Sequence, residues 1–174
     1  VLDWEAVVGL STGINNAIYI ADGDKWAIYN KGVSVPVSPD HSSSQYIAPG
    51  QGFLVQVAVN NTGGSITMGN GARVHTSATF YKKASVTNLA RLQVSGNTYT
   101  DEAVVRFAPD ATSEFDGNYD AHKFFSEIPG SAQIYTLGSS PLAINALLPE
   151  TTEVPLGIRA NTTGTYTIAA TQLL

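Results

Sequence analysis

Asp116, Asn118 and Asp120 stand two apart in the segment FDGNYDAHKFFSE, residues 115–127, and Glu127 falls at the twelfth position counted from Asp116. Oxygen ligands at positions 1, 3 and 5 with a bidentate Glu at 12 outline an EF-hand calcium loop. Two positions break the outline. Ala121 stands where the loop needs Gly for its sharp turn, and Lys123 stands where an aliphatic residue is usual. The flanks, RFAPDATSE and IPGSAQIYT, read as a strand and a turn rather than two helices. A tight turn with two readings remains. Asp116, Asn118 and Asp120 offer oxygens to a hard cation, calcium, at a sheet edge. Alternatively, an Asx turn caps a short helical segment, DAHKFF. With no cysteine and scattered His, hard-ligand chemistry is the only metal chemistry left.

Other signals point away from catalysis. GLSTG at 9–13 matches G-x-S-x-G, but a nucleophile elbow needs a strand before its Ser and a helix after it, and here the order is reversed. His41, His75 and His122 lie in separate segments without metal-ligand spacing. The carboxylate pairs Asp101/Glu102 and Glu150/Glu153 read as turn residues that aid solubility. No phosphate loop is present. The chain is therefore expected not to be an enzyme.

Composition narrows the class further. Among 174 residues, 43% are hydrophobic and only 13% charged, with 16 Gly. The charged fraction is about half the usual value for globular domains. That fits an all-β protein with many turns. The net charge is −5 and no basic run occurs, which argues against phosphate-backbone binding and hence against nucleic acid. No apolar run reaches the length of a membrane-spanning helix. The chain starts at Val1 without Met and reads as a mature product or an excised piece of a longer protein.

The elements that would position these residues follow from hydrophobic periodicity. Asp3 caps a single helical turn in LDWEAVVGL, with Trp4, Val7 and Val8 on one face. NAIYIADGDKWAIYN reads as two strands around the turn Asp22-Gly23-Asp24. Residues 31–45 read as a loop. GFLVQVAVN alternates, with Phe53, Val55, Val57 and Val59 on one side. SITM, NLARLQVS, EAVVRFA, AQIYTL, LAINAL, EVPLGIRA and GTYTIAAT complete roughly ten strands. In the last, Tyr166, Ile168 and Ala170 are expected to point inward. Strands with one polar face indicate antiparallel sheets. The expected fold is an all-β, antiparallel, jelly-roll-like β-sandwich with one or two short helical turns. Residues 1–174 form one module, with possible packed halves 1–76 and 86–174 joined through TSATFYKKASV.

Exposed aromatics on a sandwich can stack on pyranose rings while nearby amides and carboxylates take the hydroxyls. Trp26, Tyr29, Tyr19 and Tyr46 are the candidates, with a core role as the competing reading of Trp26.

The segments AIYIADGDKWAIYN, QYIAPGQGFLVQV, NGARVHTSATFYK, LARLQVSGNTYTDEAVVRFAPDATSEFDGNYDAHKF and EVPLGIRANTTGTYTIAAT cover nearly the whole chain. In this order they resemble a region of large secreted and surface proteins of Bacteroidota exported by the type IX (Por) secretion system. There the region usually precedes a C-terminal sorting domain. The most specific pieces are I-A-P-G-Q-G-F and the F-D-x-x-Y-D-A-x-K of Phe115, Asp116, Tyr119, Asp120, Ala121 and Lys123. The family pattern usually starts earlier and continues further than this chain. The resemblance implies an extracellular or outer-surface location, with extracellular polysaccharide or neighbouring protein modules as partners. It transfers no catalytic residues. Three functions follow as expectations: an adhesion or glycan-binding module, a structural spacer or self-assembling, filament-forming homo-oligomer, and an accessory domain of a polysaccharide-degrading enzyme.

Overall fold

The structure, a computed structural model, describes residues 1–22, 25–36, 43–58, 62–75 and 87–173. The chain is all-β with little helix. Asp3 is the N-cap of the short helix α1 (Trp4–Val8), its carboxylate accepting the Glu5 N–H at 3.1 Å. Ahead of it β1 (Leu2–Asp3) pairs with β5 (Tyr46–Ile47). A four-stranded sheet follows the order β4 (Val33–Val35), β3 (Lys25–Asn30), β2 (Ile14–Asp22), β6 (Leu54–Val57).

The larger sheet has seven strands. Its path runs β12 (Leu156–Ala160), β10 (Ala132–Leu137), β11 (Pro141–Leu147), β8 (Tyr99–Phe107), β7 (Leu89–Gly96), β13 (Thr167–Leu173), and β9 (Ala121–His122) also pairs with β11. All pairings are antiparallel except β8 with β11, which is parallel, with Val104 opposite Ile144. The β7–β8 hairpin closes on Asn97 and Thr98, both at positive φ (51° and 69°). Two such residues in succession suit the twist of a two-residue hairpin loop.

One apolar cluster joins the two sheets. Tyr19, Ile28, Val33 and Val35 pack against Leu89, Val104, Ala143 and Ile144, the arrangement of a β-sandwich. The opposite face of the four-stranded sheet is covered by Trp4 and Val7 of α1, which meet Ile18, Ala27, Tyr29 and Ile47. A third cluster, Val94, Ala103, Ala132 and Ile134, lies where the large sheet curls β10 toward β7 and β8.

Several expectations are corrected by this packing. β8 and β11 carry runs of consecutive buried residues, because each is covered on both faces. Asp101 and Glu102 lie within β8 rather than at a turn, and they pair with Lys123 and Arg91. Val33–Val35, within the expected loop 31–45, is a buried strand. The SITM segment is no strand, although Ser65 bridges Thr12. DAHKFF is not helical, since Ala121 and His122 pair with β11. Ile168 and Ala170 are exposed, because β13 lies at an edge of the sheet with its side chains in solvent. Gly23 and Asp24 of the expected turn, Val59, His41 and the expected link 76–86 lie outside the described residues.

Candidate functional site

Strand alternation places Trp26 on the same face of β3 as Ile28, toward the large sheet, where it packs partly buried against the shared core. Phe124 reaches the same place from the other side of the sandwich. It follows β9, and the Lys123 N–H to Pro141 carbonyl bond (2.9 Å) fixes its backbone beside β11. The Trp26 and Phe124 rings meet edge to face, with centroids 5.4 Å apart at 80°. Phe124 is 38% exposed, unusual for a phenylalanine so well packed on one side. Beneath it lies Tyr19, stacked at 4.3 Å and 22°.

Beside this aromatic pair is a small recess of about 20 Å³, partly open to solvent and floored by polar side chains. Lys123 Nζ donates to both carboxylate oxygens of Asp101 at 2.7 and 2.6 Å and to the Glu102 carbonyl at 3.2 Å. Asp101 Oδ2 also accepts the Ile134 N–H at 2.8 Å. Gln133 closes a two-bond ring with Ser126, its Oε1 accepting the Ser126 N–H at 2.6 Å and its Nε2 donating to the Ser126 carbonyl at 2.8 Å. Lys25 donates to the Thr100 carbonyl at 3.0 Å and lies 5.8 Å from the Tyr99 ring centre. These bonds hold the charged groups in fixed places next to an apolar shelf. Such a surface can stack a flat apolar ring and direct hydrogen bonds at its rim.

Of the four aromatics expected to bind sugar, only Trp26 belongs to this shelf. Tyr19 and Tyr29 are core residues, each 1% exposed, so neither can stack on a ligand. Tyr19 supports Phe124, and its hydroxyl accepts the His122 N–H at 2.9 Å. Burial pushes its phenol up to about 12. Tyr29 faces α1 and donates to Glu5, with its phenol raised above the ordinary value by burial first and by the Glu5 bond next. Tyr46, half-buried, sits in the two-stranded sheet opposite Asp3. From the sequence, Phe124, Lys25 and Gln133 receive no role, and Asp101 is offered as a turn carboxylate and Lys123 as a motif residue rather than as parts of a site. The one signal for Phe124 was its place directly after the F-D-x-x-Y-D-A-x-K motif.

The Asp116–Asp120 turn serves the fold. Asp116 Oδ1 caps the Asn118 N–H at 2.9 Å, an Asx turn. Asp120 is buried, Oδ1 accepting the Ala146 N–H and Oδ2 the Asp116 N–H, both at 2.7 Å. Asn118 is exposed, and its carbonyl accepts from the Asn16 side chain. Glu127 pairs instead with Arg159 on β12 at 3.2 Å. The three expected calcium ligands thus have separate tasks. Among the described residues, no group of three or more His, Cys, Asp or Glu side chains is placed to hold a metal ion.

His122 Nδ1 lies 2.9 Å from Ser140 Oγ, and its ring stacks on Phe115 at 4.2 Å. Burial holds its pKa below the usual value. A nucleophilic Ser–His pair is completed by a carboxylate that orients the imidazole. Among the described residues, no carboxylate bonds the His122 ring. No helix is long and apolar enough to cross a membrane among the described residues.

No curated protein and no solved structure matches the chain. A family model does match, over residues 12–173, nearly the whole of it. The chain belongs to that family, a domain of unknown function, DUF8693.

Proposed function

We propose that this is a non-catalytic, extracellular module that binds glycan through the Trp26–Phe124 shelf and the polar recess beside it. The observation that carries the reading is the half-exposed Phe124 held by Trp26 and Tyr19 next to fixed hydrogen-bonding groups. A pyranose ring stacked on Phe124 would bring its hydroxyls toward Lys25 and the partly exposed Asp101 carboxylate. The resemblance to surface proteins of type IX secretion supports an outer-surface setting, where polysaccharide is the abundant ligand.

Retention on insoluble polysaccharides tests the reading. Phe124→Ala removes the exposed ring and should abolish retention while the fold persists. Trp26→Ala should weaken retention too, at a larger cost in stability, because Trp26 also packs on the core. Unchanged retention of the Phe124 variant on every polysaccharide that holds the parent protein would overturn it.

A second reading, self-assembly through sheet edges, is favoured by one observation. β12 pairs only with β10 and β13 only with β7, so each presents an outer edge without a strand among the described residues.

A further inference from the structure

A second cavity, of about 170 Å³, opens beside β11 and is lined by Asp120, Asn145, Glu114, Glu153, Leu142 and Pro155 among others. Two of its groups are unusual. Asn145 on β11 is only 5% exposed, yet among the described residues its side-chain amide has no hydrogen-bond partner. Its amide is not among the fully buried unpaired side-chain atoms of the described residues, Asn30 Oδ1 and Ser43 Oγ, so it faces the open space of the cavity and offers a partner to a ligand's polar atom. Asp120 is 1% exposed, and each of its oxygens accepts one backbone N–H, leaving one acceptor position on each. Among the described residues, no Lys or Arg lines the cavity and Asp120 takes part in no ion pair. A buried carboxylate without a countercharge is costly to hold, and its natural complement is a cation.

The kind of cation follows from the remaining groups. The cluster does not meet the requirement of a metal site. Leu142, Pro155, Leu137 and Val154 supply apolar wall. We propose that this cavity binds a primary ammonium group carried on an apolar stem. Its N–H donors go to Asp120 and the Asn145 carbonyl oxygen. Glu114 and Glu153 at the mouth draw the charge in, and the methylene stem lies along Leu142 and Pro155. Burial raises the Asp120 carboxyl to about 6, with Asp116 adding a smaller push in the same direction, so it carries its charge at neutral pH. The site is independent of the glycan shelf. Its ligand is either a free alkylamine or the lysine side chain of a protein.

The test is a titration of the isotope-labelled chain with n-butylammonium chloride at neutral pH and constant ionic strength, followed by amide NMR. Saturable shifts are expected at the Ala146 and Asp116 amides and the Asn145 side-chain NH₂. Tetramethylammonium, which has no N–H, should leave them in place. Asp120→Asn disturbs the backbone bonds that Asp120 accepts, so the decisive variants are Asn145→Leu and Glu153→Gln. Each should weaken binding about tenfold or more at unchanged melting temperature. Putrescine and an end-blocked lysine peptide, titrated in parallel, separate the two sources, and the tighter binder identifies which the cavity fits. Three outcomes overturn the proposal: no saturable shift with any primary amine, equal response to tetramethylammonium, or response to calcium chloride but not to amines.

Discussion

Lys123 Nζ grips Asp101 by both carboxylate oxygens, at 2.7 and 2.6 Å, with the lysine side chain 4% and the aspartate 18% exposed. The pair joins the segment after β9 to β8 and lies under the aromatic shelf. Taking two charges out of water is costly, and their attraction repays it only when the remaining donors and acceptors are satisfied. Here the Glu102 carbonyl takes the third Lys123 donor and the Ile134 N–H a second position on Asp101 Oδ2. Removing one partner strands the other. Lys123→Met should therefore destabilise the fold by about 3–5 kcal/mol in urea unfolding. The double variant Lys123→Met/Asp101→Leu should recover part of that loss, because no buried charge is left behind. A single-variant cost below about 1 kcal/mol would show the pair to behave as a surface bridge.

Asp120 gives the stability a pH dependence of unusual sign. Its carboxyl is raised from 3.8 to about 6, chiefly by desolvation, against the lowering effect of the Ala146 and Asp116 N–H bonds. The folded chain thus holds this proton more tightly than the unfolded chain. Between pH 3.8 and about 6 folding takes up a proton. Stability from this group is present below 3.8 and is lost as pH rises through about 6. The shift corresponds to roughly 3 kcal/mol. Melting temperatures of the parent and Asp120→Asn across this window check it. The parent should lose stability relative to the variant as pH rises, and parallel curves would rule the effect out.

The sequence made the strands legible where a single periodicity governed them. The pair β2–β3, the hairpin β7–β8 with its GNTY turn, and the capped turn at Asp3 all follow from local patterns. What alternation could not reveal was covering from both sides. Arg91 alternates with the apolar Leu92 along β7, yet it is buried, because it reaches the Ser34 carbonyl of the other sheet and Glu102, and Lys123 is buried where it reaches Asp101. The same limit shaped the site. Trp26 was visible as an aromatic in a hairpin. Its neighbour Phe124 lies 98 residues further along the chain and becomes its neighbour only when the sheets pack. Tyr19 and Tyr29 have the same residue type and similar surroundings in sequence, but strand faces send them to opposite sides of one sheet, both into core. The Asp116–Asp120 spacing reflects turn geometry, in which carboxylates cap backbone N–H groups.

The edges of the large sheet supply the last prediction. Strand β13, TIAATQL, carries no charged residue and no proline, and its outer edge bears no strand among the described residues. Ile168 is 50% and Leu173 69% exposed on it. At the opposite edge, β12 exposes Leu156 and Ile158. Natural edges are normally guarded by charge, proline or bulges, since unpaired N–H and C=O groups invite another strand. Here the guards are one bulge between Ala170 and Gln172 and, on β12, Arg159 paired to Glu127. Pairing of the β13 edge of one copy with the β12 edge of the next would be heterologous and would propagate into a filament rather than close. Under the assembly reading, light scattering should show mass rising with concentration for the parent chain. Ile168→Lys and Ile158→Lys should each cap growth, because either substitution guards one of the two edges a filament needs. Both side chains already lie in solvent, so the melting temperature should hold within the small range usual for surface substitutions. A parent chain that stays monomeric at every concentration, or lysine variants that still assemble, would exclude the edges as the route.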